Sequence, residues 1–222
     1  MSVSRMAEAI DRIAICAEEK QYENLLLFYI SQHKPGQVTL DDFTPKEIAS
    51  ITPRHKPRLS KIEIDEIIEE YPYKLPKEIY DLYQKGNGDG LPIGLNRNYD
   101  VYTNYCFFPN SDTIWYNLKK AMDLYQGIKN YEKIDDKLFP LLTNELCLYA
   151  IMGSKEQKQT SSMYSMYHDD IPLIPRLVSY SLTSLMLACA ERMEKGYSNV
   201  SSEYLMNKYE IYDERLLHEI WC

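Results

Sequence analysis

The chain has no run of about 20 apolar residues, the length needed to cross a bilayer as a helix. Its longest apolar stretches are LLLFYI at 25–30 and SLMLACA at 184–190, so no membrane span is expected. No export signal is read either, because Glu8 and Asp11 stand where such a signal needs an unbroken apolar stretch. There is no C-x-x-C pair. The five cysteines, at 16, 106, 147, 189 and 222, are odd in number and widely scattered, which argues against a disulfide framework and against a zinc knuckle. They read as reduced core thiols, with Cys222 exposed. Positive charge is short: 25 Lys and Arg stand against 33 Asp and Glu, for a net charge of −8. A grip on phosphate backbones needs clustered Lys and Arg that displace counterions. Nucleic acid and membrane are therefore not expected partners, a basic protein partner fits better, and the expected location is the cytoplasm.

What the chain does have is tyrosine, 20 against 5 Phe and 2 Trp. Most of its rings carry a hydroxyl that needs a partner when buried, which suits half-buried sheets and binding surfaces. With 222 residues, 45% hydrophobic and 26% charged, one folded core with appendages is expected. From Arg5 to about Gln32, apolar residues including Met6, Ile10 and Ile13 recur at helical spacing. The capping box TPKE (44–47) and the two prolines of ITPRHKPRL (51–59) follow. Residues 1–58 thus read as a helical N-terminal appendage and linker.

A second capping box, SKIE at 60–63, opens a helix with Ile64, Ile67, Ile68 and Tyr71 as its apolar stripe, and Pro72 ends it. LPKEIYDLYQKG gives another short helix, with Ile79, Leu82 and Tyr83 on one side and Gly86 at its C-cap. Strand alternation is read over 99–109, helix over Asn110–Lys129, and a hairpin from LCLYAIM (146–152) and SMYSMYH (162–168) across GSKEQKQTS. Ser181–Glu194 reads as a last core helix, and 196–222 as a polar helical tail.

The glycines of QKGNGDGL at 84–91 raise a chemical question. A dinucleotide fingerprint would need a third glycine where Leu91 stands, and a phosphate loop would need a G-K-[ST] ending. A calcium loop would start on Lys85 and end on Asn96, without the leading carboxylate or the closing glutamate. Gly86, Asn87 and Gly88 read instead as a structural turn, with Gly86 taking the left-handed conformation that stops the helix. YHDD at 167–170 sets a histidine beside two carboxylates, a pattern compatible with acid–base or metal chemistry and equally with a solvated turn. No nucleophile motif and no second histidine at a metal-binding offset accompanies it. The acidic run EIDEIIEE (63–70) reads as the wet face of a helix or as a docking surface. The Tyr and Met run around 163–167 reads as core or as an interface.

Taken in order, the helix ending in glutamates, LPKEIYDLYQ, G-N-G, aromatic strands, FFPNSDTIW, LFPLLTNELCLYAI and YHDD resemble the SUKH superfamily of fungal cell-wall-synthesis regulators and bacterial immunity proteins. Leu75, Pro76, Ile79, Tyr80, Leu82, Tyr83, Asn87 and Gly88 carry the resemblance most specifically, and it covers roughly 60–195. It implies an α+β fold over 59–195, a mixed and mostly antiparallel sheet packed with helices, without catalytic residues or cofactors. It further implies a protein-binding role, in bacterial members the neutralisation of a toxin, often a nuclease. An acidic surface suits the basic face of such a toxin.

The partner-binding residues expected on this reading are Asp89, Asp100, Tyr102, Tyr164, Tyr167, His168, Asp169 and Asp170. The N-terminal helix offers a surface for homodimerisation. Two other functions stand beside immunity: a regulatory or scaffold module of the same fold, and a hydrolase or metal enzyme centred on His168, Asp169 and Asp170.

Overall fold

A computed structural model of the chain describes residues 4–13, 16, 58–88, 114–129, 134–143, 146–170, 173–196 and 199–213. Its architecture is α+β. The helices are α1 over 5–13, α2 Lys61–Ile67, α3 Lys77–Lys85, α4 Leu118–Ile128, α5 Leu182–Lys195 and α6 Ser202–Tyr209. The strands are β1 Ile114–Trp115, β2 Leu138–Thr143, β3 Cys147–Met152, β4 Met163–Tyr167 and β5 Arg176–Ser179. They form one meander in the order β1-β2-β3-β4-β5. Every pairing is antiparallel, so the mixed component expected from the sequence is absent among the described strands. β2 and β3 are buried along almost their whole length, as strands covered on both faces must be.

The first helices form as their local chemistry dictates. Ser60 accepts from the Glu63 amide while Glu63 accepts from the Ser60 amide, the reciprocal box read from SKIE. Ile64, Ile68 and Tyr71 are buried behind it. Helix α3 starts on Pro76 without a side-chain cap. Its orphan amides are met instead by the β3–β4 loop, where the carbonyls of Lys158 and Gln159 accept from Lys77 and Glu78 at 2.9 and 3.2 Å. The polar hairpin loop is therefore also a brace for a helix that lies 81 residues earlier in the chain at these contacts.

Glu78 completes that brace from inside the protein. It is 1% exposed. Oε1 accepts from the Ser161 amide at 2.9 Å. Oε2 accepts from the Thr183 amide and hydroxyl, both at 2.8 Å, and from the Ser181 hydroxyl at 3.0 Å. A single carboxylate thus joins the start of α3, the approach to β4 and the first turn of α5. Burial pushes its carboxyl up, and the hydrogen bonds from Ser161, Thr183 and Ser181 oppose that shift.

Three of the buried tyrosines place their hydroxyls on acceptors within the protein. Tyr71 donates to the Lys137 carbonyl, Tyr83 to the Tyr116 carbonyl at 2.8 Å and Tyr80 to Asp65 at 2.7 Å. The Tyr71 ring meets Phe139 and Tyr125 edge-on, with centroids 5.1 and 4.9 Å apart. This joins α2 and α4 to the sheet.

Several expectations are corrected by the backbone. The helix read over Asn110–Lys129 begins only at Leu118, because Asn117 caps it through the Lys120 amide and Ile114–Trp115 pairs with β2. Gly86 ends α3 with an extended backbone (φ −168°), and the left-handed residue is Gly88 (φ 53°). Asn87 has a role of its own there: its Oδ1 accepts from the Leu118 amide at 3.1 Å, adding a second cap to α4. The glycine-rich turn is thereby tied to the β1–α4 junction.

Both flanking regions join the main core in the parts described. Met6, Ala9, Ile10 and Ile13 of α1 lie in the same hydrophobic cluster as the sheet, so this part of the apolar stripe is occupied within the chain. Arg12 binds Glu194 through two hydrogen bonds of 2.6 Å, and Lys85 binds Asp11 at 2.8 Å. At the other end Val200, Leu205 and Ile211 are buried, which a polar tail would not be. Ile211 bridges to Ser179, and the Tyr212 amide donates to the Val178 carbonyl at 2.7 Å, extending the sheet beyond β5.

Helix α6 is fastened to α5 through Glu191, whose carboxylate is 4% exposed. It accepts from Lys195 and Lys208 at 2.6 Å, from Tyr209 at 2.5 Å and from Tyr204 at 3.1 Å. Burial acts to push this carboxyl up, but the four hydrogen bonds outweigh it and hold it well below its ordinary value of 4.5. A depressed folded value means stability present above 4.5 and lost as the pH falls below it. Glu191→Gln is expected to lower stability by about 2 kcal/mol at neutral pH. The gap between wild type and variant should close on acidification, as read by urea denaturation at about pH 7 and about pH 3. A gap that stays constant or widens toward acid would sink this account.

Candidate functional site

At one end of the sheet, β3 and β4 are joined by the pair Cys147–Tyr167, and β4 and β5 by the pair Ser165–Arg176. These registers bring together side chains from the end of β4, the turn after it and the start of β5. Arg176 lies over the Tyr167 ring, 4.7 Å from its centroid, and donates to Asp170 at 2.9 Å. Tyr167, Arg176 and Asp170 thus form one surface unit that holds its shape through a cation–π contact and a charged hydrogen bond. The His168 amide donates to the Leu146 carbonyl at 2.9 Å, closing the turn beside it. Leu146 is 53% exposed, and so is Ile174, two residues before Arg176. Large aliphatic side chains left in water next to an aromatic–arginine pair are the composition of a binding surface.

The contacts made by Arg176 contribute little to folding. Exposed cation–π contacts and exposed ion pairs are each worth about 1 kcal/mol or less. Arg176 is exposed and can be changed without threatening the fold, whereas the Tyr167 ring also packs against the core.

The site residues expected from sequence are distributed unevenly. Tyr167, His168, Asp169 and Asp170 do lie together, with His168 and Asp169 exposed and Tyr167 and Asp170 half-buried. Tyr164 does not join them. It is three residues before Tyr167 in a regular strand, so it points to the opposite face of the sheet, where it sits between Ala150 and Leu177. Asp89, Asp100 and Tyr102 lie outside the described residues. Gly86, Asn87 and Gly88 sit at the α3–α4 connection described above. The sequence does not single out Leu146, Ile174 or Arg176; the sheet register places Arg176, and exposure marks Leu146 and Ile174.

An acid–base unit is not assembled at YHDD. Asp170 is engaged by Arg176, and the His168 side chain makes no hydrogen bond among the described residues. No group of three His, Cys, Asp or Glu is placed to hold a metal among the described residues. Cys147 and Cys189 are buried, and burial pushes the Cys189 thiol up, away from the reactive thiolate.

The acidic helix α2 presents a second feature. Asp65 and Glu66 are exposed on it, Glu69 and Glu70 in the turn just past its end, and Ile62 stands in solvent. Asp65 is taken by Lys61 and Tyr80, and Glu70 by Gln126, which makes much of this face a wet helix surface with local pairing. Among the described residues, no helix is long and apolar enough to cross a membrane.

No protein-family model matches the chain, and a search of curated proteins finds no match either. The functional reading therefore rests on the geometry of the sheet-end patch and on charge.

Proposed function

We propose that the chain is a non-catalytic protein-binding module, acting in the cytoplasm as an immunity protein that covers a basic toxin domain such as a nuclease. The observation that carries this reading is the patch at the sheet end, where Leu146 and Ile174 are exposed close along the backbone to the Tyr167–Arg176–Asp170 unit. Apolar side chains supply the area that a partner can dry, and the tyrosine and arginine are the residue types that anchor interfaces. The net charge of −8 favours a basic partner by steering its approach. The resemblance to SUKH immunity proteins in the LPKEIYDLYQ and G-N-G segments points the same way.

The test is co-purification of the tagged full chain from its own cells at low and at high salt, with Arg176→Ala and Leu146→Asp variants alongside. One basic protein should be retained, less strongly at about 1 M salt than at about 0.1 M. Each variant should weaken it about tenfold or more while leaving folding stability within about 1 kcal/mol of wild type. Several weak partners with no salt dependence would instead fit a regulatory or scaffold module. A single partner held equally well by both variants would remove the patch from the interface.

A further inference from the structure

Away from the sheet-end patch, α1, α5 and α6 leave a cleft of about 320 Å³ between them. It is lined by Arg5, Ser184, Asn207, Lys208, Tyr209 and Glu210. Its size falls at the lower end of small-molecule sites. Its lining is polar, unlike an ordinary packing defect between helices, and its polar groups are incompletely used within the protein. Arg5 is exposed and makes no ion pair or side-chain hydrogen bond among the described residues, nor do the Ser184 hydroxyl and the Asn207 amide. Lys208 gives one proton to Glu191 at 2.6 Å and one to Tyr204 at 3.0 Å. An ammonium has three, so one donor is left.

The rest of the wall is fixed in place. Glu191 holds both Lys208 and Tyr209 by hydrogen bonds, and Lys208 also lies over the Tyr204 and Tyr209 rings at 5.3 and 5.2 Å. A lysine held by a carboxylate and two rings does not sweep freely through solvent, so its charge stays at the cleft wall. The cleft thus combines one anchored cation, one uncommitted guanidinium, a hydroxyl and an amide. The carboxylate of Glu210 is the acidic group in the lining, and it lies on a residue with left-handed backbone (φ 55°) that ends α6.

The geometry points to a binding site for a small oxyanion, a phosphate or carboxylate group carried by a small molecule, held between Arg5 and Lys208 with Ser184 and Asn207 as further hydrogen-bond donors. Planar guanidinium donors match the paired oxygens of either group. The site is independent of the partner-binding patch, because it shares no residue with it.

Isothermal titration calorimetry of the full chain with inorganic phosphate and with citrate tests the site, using sodium chloride at matched ionic strength as the control. One of the two oxyanions should saturate a single site per chain, and the one that does so assigns the phosphate or the carboxylate class. Arg5→Ala should weaken that binding about tenfold or more, the scale of a hydrogen bond to a charged group. Asn207→Ala should weaken it by a smaller factor. Both side chains are exposed, so the unfolding midpoint should not move with either change. The proposal is overturned if neither oxyanion binds beyond the chloride control, or if both variants bind as wild type does.

Discussion

Gly88→Ala is expected to destabilise the protein by about 3 kcal/mol or more. Two effects add. Gly88 has φ 53°, a region that costs any residue with a Cβ. An added Cβ would also lie 2.5 Å from the Tyr116 carbonyl oxygen, 2.7 Å from its carbon and 2.9 Å from the Asn117 nitrogen. All three are backbone atoms, so no side chain can swing aside to relieve the contact. That carbonyl accepts from Tyr83, and the neighbouring Leu118 amide donates to Asn87, so moving this segment would break both bonds. Gly127→Ala is the matching control. It lies in α4, where a Cβ would meet nothing within 4 Å, and it should stabilise by up to about 1 kcal/mol. Urea denaturation of the two variants should give shifts of opposite sign. A Gly88→Ala protein as stable as wild type would mean that the turn does not press on the β1–α4 junction.

The second large effect is expected at Glu78. Alanine there removes the acceptor for the Ser161 and Thr183 amides and for two hydroxyls in a site closed to water, a loss of about 3 kcal/mol or more. Glutamine keeps the shape but must set its NH2 group against one of those two amides, whichever way it is turned. It should lose about 1–3 kcal/mol. The pH response is opposite in sign to that of Glu191. Burial raises the folded value of Glu78 above its ordinary 4.5. Its contribution is therefore complete below that value and is lost as the pH rises through the raised one. The advantage of wild type over Glu78→Gln should shrink on going from acid to neutral pH, whereas the advantage over Glu191→Gln should grow. Parallel denaturation series at several pH values distinguish the two slopes; slopes of the same sign would refute the assignment of one or both carboxylates.

Much of the local structure was legible because it is decided by neighbours in sequence. Ser60 and Glu63 cap each other across three residues, and Ile79, Leu82 and Tyr83 fall on one side of α3 at helical spacing. The hairpin of β3 and β4 could be read from two apolar runs across a polar loop. The start of α4 was misread because Ile114, Leu118 and Met122 are spaced by four, which suits a continuing helix, while Asn117 as a cap was overlooked. Strand β5 was missed: Arg176–Ser179 is four residues long, and its identity comes from pairing with β4. The acid–aromatic half of the candidate site was visible as contiguous YHDD. Arg176 and Leu146 join it through the sheet register, which a single sequence does not display.

Ile211 and Tyr212 lie along β5 and limit what can pair with that edge of the sheet. With the Val178 carbonyl already engaged by Tyr212 and Ser179 bridged to Ile211, half of the four-residue border is closed by the chain itself. What is left is too short to template a foreign strand through main-chain pairing. At this edge, the proposed partner would have to be told from others by side-chain identity, so a few point substitutions there could alter the choice while the backbone stays as it is.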